Sequence, residues 1–129
     1  MEGIKMFNGE VFSIPESDEY YFDEGCFILE LMNSPSDQEV SIARARVDAG
    51  CTTRLHCLNG LTERYVIQKG EGQVTVGDRL KQKVLPGDVV LIPSGVAQKI
   101  TNTGQEDLVF LAICSPRFTP ESYQDLEEE

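Results

Sequence analysis

The 129-residue sequence predicts an all-β fold, a sandwich or a barrel that forms one domain. Short runs with strand-like alternation or continuous apolar character recur along the chain. Turn-forming Gly, Pro, Asn and Asp residues separate these runs about every eight to twelve residues. No interior segment has the periodicity of a helix, and many short strands with frequent turns are typical of all-β architectures.

The first 25 residues combine aromatic and acidic side chains with Pro15, which predicts an arm (1–25) that packs over an edge of the barrel. The barrel itself is expected over residues 26–115. Its first clear strand is CFILELM, at positions 26–32. Residues 40–47 alternate with period two, so a second strand should follow the turn at 33–37.

The middle of the chain contains a predicted hairpin. Asn59-Gly60 is a strong turn signal, and it places the strand that contains Glu63 and Tyr65 against the strand that contains His56 and Leu58. Side chains two residues apart on a strand point the same way. These four side chains can therefore share one face.

The rest of the barrel is predicted from three further features. Residues 73–76 and 79–84 form a hairpin, and Pro86-Gly87 fits a type II turn. Residues 89–92 are entirely apolar and are expected to be buried on both sides, whereas 108–114 should be a central strand. After it, Thr119-Pro-Glu indicates a short helix to about Glu127, within an acidic C-terminal segment (116–129).

The charge distribution excludes some partners. The chain has 22 acidic and 11 basic residues, and the acidic excess lies at its two ends. Such ends repel phosphate backbones and anionic lipid, so neither nucleic acid nor membrane is an expected partner. Without a run resembling a signal peptide, we expect a cytoplasmic protein whose four cysteines are reduced.

Two spaced patterns resemble the motifs of the cupin superfamily. Residues 50–70 follow the first motif, G-x5-H-x-H-x3,4-E-x6-G, and residues 87–102 follow the second, G-x5-P-x-G-x2-H-x3-N. Two positions depart from the family pattern, Leu58 and Gln98, where the family has histidines. The resemblance implies a double-stranded β-helix, or jelly-roll barrel, of the conserved small single-domain type.

The resemblance also implies a candidate metal site made of His56, Glu63 and Gln98. One imidazole, one carboxylate and one amide oxygen would leave coordination positions open, and iron, manganese, nickel or zinc could each be the ion. Because glutamine is a weak ligand and Leu58 provides none, the affinity should be low. The alternative is that these side chains hydrogen-bond to one another in a polar cavity without metal.

Four further residues are candidates for substrate binding. Tyr65 either places a hydroxyl in the pocket or packs as an aromatic strand residue. Arg44, Arg46 and Arg54 either line the cavity and hold an anionic group or face outward, paired with the acidic arm. Cys57, between two inward positions, should point away from the site.

The sequence thus predicts a small cytoplasmic cupin that binds a divalent metal and binds or transforms a small polar metabolite. A metal-free cupin that binds or senses a small molecule is the alternative. A homodimer is expected as well, because Phe7, Phe12 and Tyr20 of the arm need a surface on which to be buried.

Overall fold

The computed structural model describes residues 8–127, which fold into a double-stranded β-helix barrel of two antiparallel sheets. The predicted fold class is therefore confirmed. The strands are β1 Tyr20–Phe22, β2 Cys26–Met32, β3 Ser41–Val47, β4 His56–Leu58, β5 Thr62–Lys69, β6 Gly72–Val76, β7 Leu80–Val84, β8 Val89–Ile92, β9 Gln98–Asn102, β10 Leu108–Ser115 and β11 Tyr123–Asp125.

The six-stranded sheet has the order β1-β2-β3-β10-β5-β8, and the five-stranded sheet has the order β11-β4-β9-β6-β7. Strand β10 pairs with both β3 and β5, so the most apolar run is a central strand, as predicted. Inward side chains of both sheets make the main core, in which Ile67, Ile100, Leu108 and Phe110 are at most 2% exposed. Within residues 8–127, no helix is long and apolar enough to cross a bilayer.

Glycines of the motifs serve turns and close approaches. Gly60 and Gly87 have φ angles of +83° and +95°, values that side-chain-bearing residues rarely adopt, so both predicted turns form where expected. The hairpin predicted around Gly60 is wrong, however, because β4 and β5 belong to different sheets and do not pair with each other. Gly70 is required by close packing as well as by its φ angle of +82°, because a Cβ there would lie 2.6 Å from the carbonyl oxygen of Asp107. The glycine spacing of the motifs is thus a requirement of the backbone.

Residues 16–19 lie over the outer face of the six-stranded sheet, where Glu16 and Glu19 bind Arg44 and Arg46. Residues 8–15 have no regular structure, a single 3-10 turn covers Glu16–Asp18, and β1 pairs with β2. Phe12 is 37% exposed and Tyr20 is 46% exposed, while Phe7 lies outside the described residues. These apolar surfaces are not fully covered within the single chain.

Strand β8 was expected to be buried on both sides, and that prediction is wrong. Val90 and Ile92 face the core, but Val89 and Leu91 are 62% and 59% exposed. The reason is topological, because β8 is an edge strand of the six-stranded sheet and nothing in the described chain covers its outer face. An apolar run does not reveal whether its second face is covered.

The prediction of a C-terminal helix is also wrong, since the described chain has only a 3-10 turn at Pro120–Ser122 followed by β11. Thr119 makes no side-chain capping hydrogen bond there, and Tyr123 is already extended. Strand β11 instead pairs with β4. The open edge of β4 supplies backbone partners, and this tertiary pairing overrides a local helix-start signal.

Candidate functional site

A cavity of about 60 Å³ lies between the sheets, near the β1–β2 hairpin and β11. Its walls are formed by six aromatic side chains, three carboxylates, one imidazole and a set of small or aliphatic residues. They are Tyr20, Phe22, Tyr65, Phe110, Phe118 and Tyr123; Glu24, Glu30 and Glu63; His56; and Ile28, Ser41, Ala43, Ala45, Leu58, Ala112 and Cys114. The described chain therefore places no lysine or arginine in the walls.

The three predicted metal ligands are neighbours, but they do not share one opening. His56 on β4 is paired in register with Gln98 on β9, and Glu63 lies across the barrel on β5. His56 and Glu63 line the cavity, whereas Gln98 is fully buried behind its wall. Gln98 therefore lies next to the site and does not open to the cavity.

Both ends of the Gln98 amide are used inside the protein. Its Nε2 donates to Glu63 Oε1 at 2.9 Å, and its Oε1 accepts a hydrogen bond from the Tyr65 hydroxyl. The second carboxylate oxygen of Glu63 faces the Cys114 thiol at 3.7 Å. Tyr65 also packs its ring on Phe110, with the centroids 4.3 Å apart. Glu63, Gln98 and Tyr65 form one buried hydrogen-bonded chain, which we call the Glu63–Gln98–Tyr65 chain.

His56 is held by the backbone of Arg54 and by two side chains that sequence reasoning missed, Glu24 and Tyr123. Its Nδ1 donates to the carbonyl oxygen of Arg54 at 2.7 Å, and its Nε2 lies 3.3 Å from Glu24 Oε2. The ring stacks on Tyr123, with centroids 5.1 Å apart and planes 19° apart. Both ring nitrogens therefore face oxygen atoms of the protein.

Metal binding is a property that the cupin fold suggests, and the side chains present do not fit it. Leu58 supplies no ligand atom, and the oxygen of Gln98 is directed to Tyr65 behind the wall. His56 Nε2 is directed to Glu24, and both oxygens of Glu63 face hydrogen-bond donors. Within residues 8–127, no group of three or more His, Cys, Asp or Glu side chains is placed to hold an ion.

Burial and neighbouring charge shift the acid–base properties of the cavity. Burial raises the pKa of Glu63 to about 7; the hydrogen bond from Gln98 opposes this shift, and the charge of Glu24 adds to it. Burial, with a smaller effect of Glu63, raises the pKa of Tyr65 well above its ordinary value. Burial likewise raises the pKa of the Cys114 thiol, so the cavity contains no activated thiolate at this position.

The candidate arginines lie elsewhere. Arg44 and Arg46 project from the outer face of β3 and bind Glu19 at 3.0 and 2.7 Å, and Arg44 also binds Glu16. Arg54 lies beside an outer recess that shares Phe22, Glu24 and Tyr123 with the cavity, and its Nε contacts Asp125 at 3.0 Å. None of the three guanidinium groups lines the cavity: inward positions of β3 are occupied by Ser41, Ala43 and Ala45, and Arg54 lies in the wall of the outer recess.

Glu24, Glu30 and Tyr123 are three of the cavity residues that sequence reasoning did not identify. Glu30 has a detectable signal, because it lies four residues after Cys26 on an alternating strand whose inward face includes Ile28. Glu24 lies in the turn between β1 and β2, and Tyr123 belongs to a strand that was predicted as helix. At neither position does the local sequence indicate that the side chain points into the cavity.

The comparisons with known proteins place the fold in a family. The Cupin domain family model matches residues 44–114. An uncharacterized protein of Methanocaldococcus jannaschii is 34% identical over 110 residues, which cover 84% of this chain and 87% of that one. This chain therefore belongs to the cupin family.

Two further comparisons give more distant similarities. The oxalate-binding protein of Thermotoga maritima is 38% identical over 71 residues, covering 55% of this chain and 58% of that protein. A conserved Klebsiella pneumoniae protein with a double-stranded β-helix domain superposes with a TM-score of 0.73 at 13% identity, over 94% of this chain and all of that one. The second comparison shows the fold alone.

Proposed function

We propose that this cupin binds a small molecule in its barrel cavity without a metal ion. The observation that carries the proposal is the Glu63–Gln98–Tyr65 chain, in which the side chain at the position of a family ligand is committed to two protein partners. Replacing these bonds by a metal would leave the Tyr65 hydroxyl without its acceptor in a buried place, at a cost of about 1–3 kcal/mol. Leu58 removes a second ligand position.

The cavity itself supports a binding role. Its volume of about 60 Å³ is well below the 300–1,000 Å³ of pockets for drug-sized ligands, so the ligand should have only a few non-hydrogen atoms. The cavity shares Phe22, Glu24 and Tyr123 with the outer recess, and we propose that a ligand enters between Phe22 and Tyr123. Glu24, Glu30, Glu63 and His56 are the titratable groups that its walls present to a ligand.

Metal analysis tests this proposal directly. Protein purified without chelator or nickel resin should contain less than about 0.1 equivalent of transition metal, and added manganese, iron or zinc should not raise its melting temperature through His56. The variant Leu58→His/Gln98→His restores both family ligand positions, so it should acquire metal. A parent protein with one equivalent of metal that His56→Ala removes would overturn the proposal.

The predicted homodimer stays a proposal, now with a different candidate surface. The edge strands β7 and β8 and the turn between them expose Leu80, Leu85, Val89 and Leu91 to between 39% and 62%. Covering these side chains with a second copy would remove apolar surface from water. Sedimentation at micromolar concentration should therefore give a dimer that Leu91→Glu weakens, and a 14.4 kDa monomer would contradict it.

A cytoplasmic location is proposed on similar grounds. All four cysteines are free, and Cys51 is exposed, which suits a reducing compartment. Labelling of Cys51 in intact cells by a permeant thiol reagent, and not by an impermeant one, is the expected result. Labelling by the impermeant reagent would contradict the location.

A further inference from the structure

We propose that the ligand of the cavity is a small organic cation, an alkylammonium of a few carbon atoms. This inference rests on the proposed function and adds the chemical class of the ligand. It is carried by two independent features of the walls, their charge and their aromatic rings.

The charge of the walls is the first feature. Three carboxylates, Glu24, Glu30 and Glu63, converge on the cavity, and His56 is the one basic side chain that the described chain brings to it. His56 is directed to Glu24, so Glu30 and Glu63 have no basic neighbour in the walls. Opposite charges attract strongly where water is largely excluded, and a cation would therefore be favoured.

The aromatic rings are the second feature. Phe22 and Tyr123 lie at the mouth with ring centroids 5.2 Å apart, and Tyr20 lines the same side. Tyr65 and Phe110 line the wall further inside. The face of an aromatic ring attracts a cation within about 6 Å, and recognition of ammonium groups by several rings is a known use of this interaction. The apolar part of an alkylammonium would also be desolvated against these rings.

The same walls disfavour a small dianion. A carboxylate ligand is held in proteins by arginine forks or other donors, but Arg44 and Arg46 bind glutamates on the outer face of the sheet. The guanidinium nearest the mouth, that of Arg54, contacts Asp125. Oxalate, the ligand named for one relative, would face the three carboxylates of this cavity without a guanidinium group in the walls.

The cavity volume narrows the class further. A cavity of about 60 Å³ lies far below the 300–1,000 Å³ of pockets for drug-sized ligands, so it suits a cation of only a few non-hydrogen atoms. Methylammonium and ethylammonium have this size. Larger quaternary cations would require the mouth residues to move.

Calorimetric titration at pH 7.5 and constant ionic strength tests the inference with four probes. Methylammonium chloride should bind the parent protein, while methanol, its neutral isostere, and sodium acetate and sodium oxalate should bind at least about tenfold more weakly. Glu30→Gln should weaken methylammonium binding at least about tenfold, because it removes a wall charge without removing the side chain. Glu39→Gln, which removes the same charge from an exposed position, should bind as the parent does within about twofold.

The outcomes separate the two proposals. If methanol binds as well as methylammonium, or if acetate or oxalate binds more tightly, the cation class is wrong while metal-free binding in the cavity stands. If no probe binds, the cation class is wrong as well. If binding needs added manganese or zinc, the proposed metal-free function itself fails. Circular dichroism of both glutamine variants should match the parent, so that a loss of binding reports on charge.

Discussion

The two faces of the six-stranded sheet show how differently the molecule treats its carboxylates. On the outer face, Glu19 lies between Arg44 and Arg46, and hydrogen bonds from Arg46 and Arg44 lower its pKa. On the inner side of the same sheet, Glu63 is buried beside a neutral amide, and burial raises its pKa. The outer carboxylate is held ionised by guanidinium groups, whereas the inner one is held by hydrogen bonds alone.

This contrast shows that the hydrogen-bond partners and solvent exposure of a carboxylate, more than its residue type, decide whether its pKa is lowered or raised. The outer cluster fastens the N-terminal segment to the sheet, and such exposed pairs contribute little to stability. The inner group loses water, so its ionised form is costly and its hydrogen-bond partners matter more. Three perturbations of decreasing size test the contrast.

Gln98→Leu should have the largest effect on stability. It leaves the Tyr65 hydroxyl and the Glu63 carboxyl without their hydrogen-bond partner in the interior, and two such orphaned groups cost about 3–4 kcal/mol together. Urea denaturation measures the loss. Gln82→Leu, at an exposed position of β7, is the control and should cost less than about 0.5 kcal/mol. Equal losses in both variants would mean that the Glu63–Gln98–Tyr65 chain adds no stability beyond that of an exposed side chain.

The pH dependence of stability should follow Glu63. Its pKa is about 7 in the folded protein against an ordinary value of 4.5, so between these values the folded state retains a proton that the unfolded chain has lost. Stability contributed by the protonated group is complete below about pH 4.5. It falls as the pH rises to about 7, by about 3 kcal/mol in total, since one pKa unit corresponds to 1.36 kcal/mol.

Glu63→Gln provides the comparison for this prediction. The variant should lack the falling limb between about pH 4.5 and 7, whereas the charged and thiol neighbours Glu24 and Cys114 are unchanged in both proteins. Urea denaturation at several pH values measures both curves. Parallel curves for parent and variant would show that Glu63 titrates normally.

Glu19→Gln should have the smallest effect. It removes the negative charge that joins Arg44 to Arg46 at a partly buried position, so a loss of about 1 kcal/mol at low salt is expected. The difference should shrink as salt screens the charges of the parent. Glu16→Gln, at a more exposed carboxylate, should cost less than Glu19→Gln. A Glu19 effect as large as that of Gln98→Leu would remove the distinction between the two faces.

Local sequence determined much of the fold. The strand at 26–32, the turns at Gly60 and Gly87, and the central strand near residues 108–114 all follow from alternation, apolar runs and glycine conformation. These signals are short in range, because a turn or a strand face is decided by a few neighbouring residues. The motif spacing also brought His56, Glu63 and Gln98 into one neighbourhood.

Only the tertiary structure decided how these residues are used. Whether β8 is covered, whether 123–125 pairs as a strand, and whether Gln98 opens to the cavity or lies behind its wall depend on elements far away in sequence. The same holds for Glu24, which reaches His56 from the β1–β2 hairpin. The sequence by itself determined the strands and turns from which the barrel is built; packing between distant strands determined which side chains enter its interior and which of them meet, because a side chain's partners are set by long-range pairing and not by its neighbours in the chain.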